Sequence, residues 1–286
     1  MLGGNGGRIG TTNTPNFLIS SGIWSLDNQI NSRRNLKWPN ISLDPDAKAY
    51  LLAVEESDGI PLETGVLIAV NNFVVGCKSD GIWDAIKSCC ILAGARKVQS
   101  ALIPLKGTAP SKTYSTQEYY ERDIGISGSG GSINTNRANN ADPQNDKHVA
   151  IFVSRGFTSG SGSSYVGGYM SQTGNNFYGC GSACYYHACN SATTANNTGS
   201  GTTSNHFRGV ARNNSSNFQS FVTTSSTGGS VSTYTAASVA QNSNNITVLS
   251  SAALGRISFY SIGEYLDLTL LRTRVINLIN DINTEI

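Results

Sequence analysis

The fold class this sequence predicts is mainly β, a sandwich, with helices only near its two ends. Between residues 89 and 262, short runs rich in Val, Ile, Phe, Tyr and Thr alternate with clusters of Gly, Asn and Ser at a spacing of about 8 to 12 residues, the pattern of a sandwich or barrel. Apolar residues recur at helical spacing only in 44–88 and 263–286. Charged residues make up 13% of the 286 positions, against roughly a quarter in an average soluble protein, and the 31 glycines exceed the usual share of about 7%. The surface of such a chain is neutral and polar.

Residues 1–43 show almost no periodicity. Gly3, Gly4, Gly6, Gly7, Thr11, Thr12 and Pro15 are followed by isolated large apolar residues, Phe17, Leu18, Ile23, Trp24, Leu26, Ile30 and Trp38. Hydrophobes spaced in this way cannot build a core of their own, so the segment reads as an extended arm that the chain's own body or a partner must cover. No basic stretch followed by an apolar run opens it, so no cleavable export signal is expected.

At Asp44–Pro45 an N-cap residue and a first-turn proline start a helix carrying Ala47, Tyr50, Leu51 and Val54, which Asp58–Gly59 stops. A second run, Leu62 to Val75, carries Val66, Ile68, Ala69, Val70, Phe73 and Val74, and Asp80–Gly81 punctuates it before Ile82, Trp83 and Ile86. Residues 44–88 therefore read as a small helical cap. The strand candidates follow in order: CCILAGA, SALIPL, HVAIFVSR, SYVGGYM, FYGCGSACYYHAC, HFRGVAR, FQSFVTT, VSTYTAA, NITVL and GRISFYSIG. These place the sandwich at 89–262. In 263–286, with Glu264 at its opening, Leu268, Leu271, Val275, Leu278, Ile279 and Ile282 share one helical face while Arg272, Arg274 and Asp281 lie off it. That is an amphipathic helix docked on the body or on another chain.

A net charge of +2 without a Lys/Arg block argues against nucleic acid as a partner. The apolar-leaning stretches Gly65–Cys77 and Leu266–Ile282 are interrupted by polar residues and fall short of the roughly 20 apolar residues of a membrane span. Among the six cysteines, Cys89 and Cys90 read as core in an apolar strand, with alternation turning one of them outward. Cys180, Cys184, His187 and Cys189 offer zinc ligands within one short segment, whereas structural zinc sites usually split their ligands between two separated pairs. Asp142, Asn145 and Asp146 offer oxygens to calcium, or simply form a turn around Pro143. Glycoside hydrolysis needs two carboxylates about 5 to 9.5 Å apart. Its candidates, Glu118, Glu121, Asp123 and Glu264, form no strand-borne pair in the sequence, and His148, His187 and His206 accompany no nucleophile elbow. Gly125, Gly128, Gly130 and Gly131 lack the Lys-Ser/Thr of a phosphate loop. No catalytic residue and no cofactor is expected. Tyr165, Tyr169, Tyr178, Tyr185 and Tyr186, with Phe177, crowd a stretch of Gly, Ser and Asn suited either to stacking on sugar faces or to strand and oligomer contacts.

Several strings resemble structural proteins of tailed-bacteriophage virions, of tail or tail-fibre type, that carry a concanavalin-A-like sandwich: GGRIGTTNTPNFLISSGIWSLDNQINSRRNLKWP at the start, FVVGCKSDGIWDAIKSCCILAGARKVQSALIPLKGTAP, NNADPQNDKHVAIFVS, and GRISFYSIGEYLDLTLLRTRVINLI at the close. The resemblance covers most of the chain outside about 156–251. It implies a concanavalin-A-like jelly roll, attachment to other virion proteins through an arm bearing Phe17, Ile23, Trp24, Leu26 and Trp38, a homo-oligomer, and contact with host-surface glycan. A head decoration protein has the same needs, and a glycan hydrolase is the third class. It also implies assembly in the host bacterial cytoplasm and release by lysis, which reconciles a surface of extracellular character with the missing export signal. After lysis the clustered cysteines would meet an oxidising medium and could form a disulfide.

Overall fold

The computed structural model describes residues 43–112, 119–128, 131–155, 170–171, 185–191, 193, 195–197, 206–222, 228–249 and 255–286. The arm residues Phe17, Ile23, Trp24, Leu26 and Trp38 lie outside them. Within them strand outweighs helix, and the strands pair antiparallel throughout.

Helix α1 (Pro45–Asp58) begins where expected. The Asp44 side chain accepts from the Asp46 N–H, Pro45 needs no donor in the first turn, and Gly59 at φ 79° ends the helix with its N–H on Glu55 O. Helix α2 (Thr64–Ser79) buries Val66, Leu67, Val70, Phe73, Val74 and Cys77 along one side. Helix α4 (Leu268–Glu285) buries the expected stripe of Leu268, Leu271, Val275, Leu278, Ile279 and Ile282. Its cap is Asp267, whose carboxylate takes the Thr269 and Leu270 N–H groups. Glu264 therefore does not open the helix. It belongs to the strand-to-helix connection, where its N–H is donated to Ala85 O and its carboxylate meets Lys87 at 3.0 Å.

Among the described residues the main sheet has eight strands. Its path runs β12 (Ser230–Thr235), β11 (Asn217–Val222), β10 (His206–Arg212), β6 (Lys147–Arg155), β14 (Arg256–Gly263), β4 (Gly125–Ser127) and β3 (Tyr120–Glu121), and β1 (Ile86–Ile91) pairs with β14 beside β4. A second sheet orders β2 (Ser111–Lys112), β5 (Ile133–Ala138), β13 (Asn245–Val248) and β7 (Met170–Ser171), and β8 (Tyr185–His187) pairs with β9 (Ala195–Asn197).

Register decides what each face holds. Phe152 stands opposite both Phe207 and Phe259, and Gly209 opposite both Ala150 and Phe221, so these residues share one face. The helices cover that face: Phe73 of α2 meets Phe259 edge-on at 5.5 Å, and α4 packs on α2 and across β10, β11 and β12. A Cβ on Gly209 would stand 2.8 Å from Leu268, so the missing side chain is what lets α4 settle onto β10. Helix α2 thus forms a layer with α4 over the apolar face of the sheet.

The other face carries Val149, Ile151, Val153, Val210, Tyr260 and Ile262, and the second sheet adds Ile133, Ile246 and Val248 to the same continuous core. Cys89 and Cys90 are both fully buried, which corrects the expectation that one faces outward. Cys89 is in register with Ser261 on the helix side, and Cys90 lies under the carbonyls of Ala101 and Ile103 on the other. The segment expected as a strand in SALIPL instead holds a short turn of helix α3 (Val98–Ala101). The Asp58 carboxylate takes the N–H groups of Arg96 and Lys97, and Ser100 bonds Ser57, which folds the start of the segment under α1, and only its end reaches a strand, where Leu105 donates its N–H to Cys89 O at 2.9 Å.

Leu271 is fully buried between α4 and the sheet, whereas Leu270 is 38% exposed. Leu271→Ala should lower unfolding stability by about 2 to 5 kcal/mol. Leu270→Ala should change it by less than ~0.5 kcal/mol. Urea denaturation of the two variants beside the parent checks the contrast.

Candidate functional site

Of the residues singled out in the sequence, Tyr165, Tyr169, Phe177, Tyr178, Cys180, Cys184, Glu118 and Gly130 lie outside the described residues. Tyr185 and Tyr186 lie on β8. His187 and Cys189 do not converge. His187 Nδ1 meets Ser220 Oγ at 3.0 Å on the face away from the helices, while Cys189 is fully buried, its thiol pushed up to about 12 by burial and its carbonyl accepting from Arg212 Nε at 2.7 Å. Among the described residues no group of three or more His, Cys, Asp or Glu is placed to hold a metal ion.

The carboxylates have structural partners. Glu121 meets Arg256 at 2.6 Å near the start of β14, and Glu264 meets Lys87 just beyond its other end. Eight residues of strand put the two on the order of 20 Å apart along the sheet, well outside the range of an acid pair. In the loop proposed for calcium, Asp142 is held by Arg137 through Nε at 2.9 Å and through Nη2, and Asp146 accepts from the Tyr265 N–H at 2.6 Å. Both carboxylates fasten the loop to the fold.

His148 is likewise internal. Its Nδ1 stands 2.5 Å from Glu264 O and its Nε2 2.8 Å from Ser261 Oγ. A carbonyl can only accept, so Nδ1 carries the proton and Nε2 takes the serine hydroxyl. Burial holds the ring neutral, with its pKa down at about 4. His206 Nε2 accepts from Arg208 Nε at 2.7 Å.

Two places were not legible from motifs. One is an internal polar cluster at the start of β6. Lys147 is fully buried there, with Nζ on the side-chain and main-chain oxygens of Asn139, and Asn139 Nδ2 donates to Asn190 Oδ1 at 3.2 Å. The only sequence signal was a lysine directly before an apolar strand. The other is an open groove of about 480 Å³ between α2 and α4, lined by Asn72, Val75, Ser79, Arg274, Asn277 and Asp281. Arg274 grips Asp80 with two bonds of 2.7 Å, and its side chain fills the space a Cβ on Gly76 would occupy. The signal for it was the set of residues off the apolar stripe of α4, which includes Arg274 and Asp281.

Val75 on the groove wall and Ile68, two turns before it on α2, are 47% and 37% exposed. The chain joins the fold next to them, where Asp44 donates its N–H to Asn71 Oδ1 at 2.7 Å and its carboxylate meets Lys78 at 2.7 Å. An aliphatic surface at the junction with the N-terminal segment is suited to contact with protein. Compared with known protein families, curated proteins and solved structures, the chain matches none. The reading of function therefore rests on this geometry and on the sequence.

His148 gives a pH test. Its pKa is lower folded than unfolded, so the unfolded chain takes up a proton first as pH falls, and the stability present above about pH 6.5 is lost toward pH 4. Between pH 7 and pH 5 the loss from this residue should be about 2 kcal/mol. Urea midpoints at the two pH values should converge in His148→Gln relative to the parent. An unchanged difference would show that His148 does not carry the acid sensitivity.

Proposed function

We propose that the chain is a structural component of a tailed-phage virion, a tail or tail-fibre protein that works by contact rather than turnover. The observation that carries this reading is the exposed pair Ile68 and Val75 on α2, each within about a turn of Asn71 or Lys78, which hold Asp44 where the N-terminal segment meets the fold. The strings that resemble virion proteins give it its class. In this reading the two sheets belong to a concanavalin-A-like jelly-roll sandwich, the residues before Asp44 attach the protein to neighbouring virion subunits, and the Tyr-rich stretch meets host-surface glycan. The antiparallel pairing of all described strands and the second sheet's contribution to the shared core support the architecture. The hydrophobes before Asp44 support the attachment, since an unperiodic segment gains most by laying apolar side chains into another subunit.

Deleting residues 1–40 should leave a protein that folds, with far-ultraviolet dichroism and cooperative melting retained, yet is missing from particles made in infected cells. The test is quantitative mass spectrometry of purified particles from a phage carrying the deletion. Normal incorporation would overturn the assignment of attachment to this segment.

A further inference from the structure

Lys147 opens β6 on the face away from the helices, in a strand otherwise occupied by buried apolar residues, and none of its surface is exposed. A buried ammonium is normally met by a carboxylate. Here Nζ contacts two neutral oxygens, both belonging to Asn139, while the nearby Asp142 has its own carboxylate engaged by Arg137. Asn139 is just as closed in, at 1% exposure, and is held from every side. Its N–H is donated to Asn244 O at 2.8 Å, its carbonyl accepts from Gln241 Nε2 at 2.8 Å, and its amide nitrogen donates to Asn190 Oδ1 at 3.2 Å. Asn190, fully buried, is anchored in turn on Gln144 O at 3.0 Å.

We propose that Lys147 and Asn139 are precursors of an intramolecular isopeptide bond. The unprotonated Nζ attacks Cγ of Asn139, the C–N bond forms, and the tetrahedral carbon collapses by breaking Cγ–Nδ2. Of the two hydrogens on the amine, one stays on the new amide nitrogen. The other leaves with the departing nitrogen as ammonia, so neither oxidant nor cofactor is needed. Three physical features favour the step. Burial brings the amine's pKa down to about 8, so a usable share is unprotonated near neutrality. Amine and carboxamide are already in contact, and fixed reactants of this kind gain greatly over free ones. The product is a neutral amide, which removes a cation from a site that gives it no carboxylate of its own, and escape of ammonia into solvent makes the step one-way. The bond would close the loop from Asn139 to Lys147, tying the end of β5 in the second sheet to the start of β6 in the first. It depends on no assignment of biological role.

The test is mass spectrometry of the purified full-length protein after prolonged incubation at pH 8. The intact mass should be one ammonia below that of the sequence. Trypsin should fail to cut after Lys147 and release Ala138–Arg155 as one peptide carrying the loss, and no fragment should separate residues within the closed loop. Lys147→Met and Asn139→Leu should each restore the full mass. The proposal is overturned if the parent keeps its full mass, or if the ammonia is lost from a peptide whose fragments show a linear 139–147 segment, as cyclisation at an asparagine alone would give. The parent measurement decides even if neither variant folds.

Discussion

Strand β14 is hydrogen-bonded along both edges, to β6 on one side and to β4 and then β1 on the other, and this double pairing constrains the rest of the fold. A strand in that position has no free edge and no free face, so its residues from Arg256 to Gly263 are all buried. The face bearing Phe259 and Ser261 must be covered, and α2 and α4 cover it. The face bearing Ile257, Tyr260 and Ile262 must be covered as well, and the loops and short strands of the middle of the chain share that face. Where β14 starts with a charge, the fold encloses it: Arg256 donates to the carbonyls of Tyr119 and Gly125 and meets Glu121.

The helix layer follows from the sheet's side-chain pattern. Phe207 and Phe221 meet edge-on at 5.7 Å, and Phe152 and Phe259 extend the aromatic surface onto the next strands, β6 and β14. Aromatic rings bury large areas, so this surface sets where the two long helices lie. Two close approaches then fix their depth and spacing: Gly209 lets Leu268 down onto the sheet, and Gly76 lets Arg274 cross α2 to reach Asp80. The same crossing leaves the groove between the helices open, because the arginine spans one end of it without filling it.

Long periodic elements were legible in the sequence, as were VSTYTAA and NITVL, whereas β2, β3, β4, β5 and α3 were not. The stripe from Leu268 to Ile282 and the runs HVAIFVSR, HFRGVAR, FQSFVTT and GRISFYSIG declared themselves through regular spacing. What decided SALIPL was an interaction across 38 residues, the Asp58 carboxylate on the Arg96 amide, which no local pattern records. Burial of both Cys89 and Cys90 was hidden for a related reason. Alternation reports two faces, and nothing in a strand's own residues says that both are covered. At the level of the site, the clustered Cys and His attracted notice by composition, yet His187 turns to Ser220 while Cys189 lies beneath Arg212. Lys147 and Asn139, which do meet, are ordinary residue types eight positions apart and carry no motif.

Several buried and half-buried cations are used to clamp main-chain carbonyls. Arg212 donates to the carbonyls of Cys189, Asn214 and Ala236, Arg122 to Gly94, Lys106 to Trp83, and Lys147 to Asn139. Each ties down loop backbone that has no ladder partner, a role that a long donor-rich side chain fills better than a short one. In a chain with 13% charged residues and a net charge of +2, long-range electrostatic steering of a partner is slight. Recognition on such a surface falls to shape and apolar contact, which concentrates interest on the few places where aliphatic side chains remain uncovered. Ile68 and Val75 lie one above the other along α2, and Asp44, the N-cap of α1, is pinned to the side of α2 by Asn71 and Lys78. The same ion pair and hydrogen bond that begin the fold therefore hold Asp44 on the side of α2, within about a turn of those uncovered aliphatic residues.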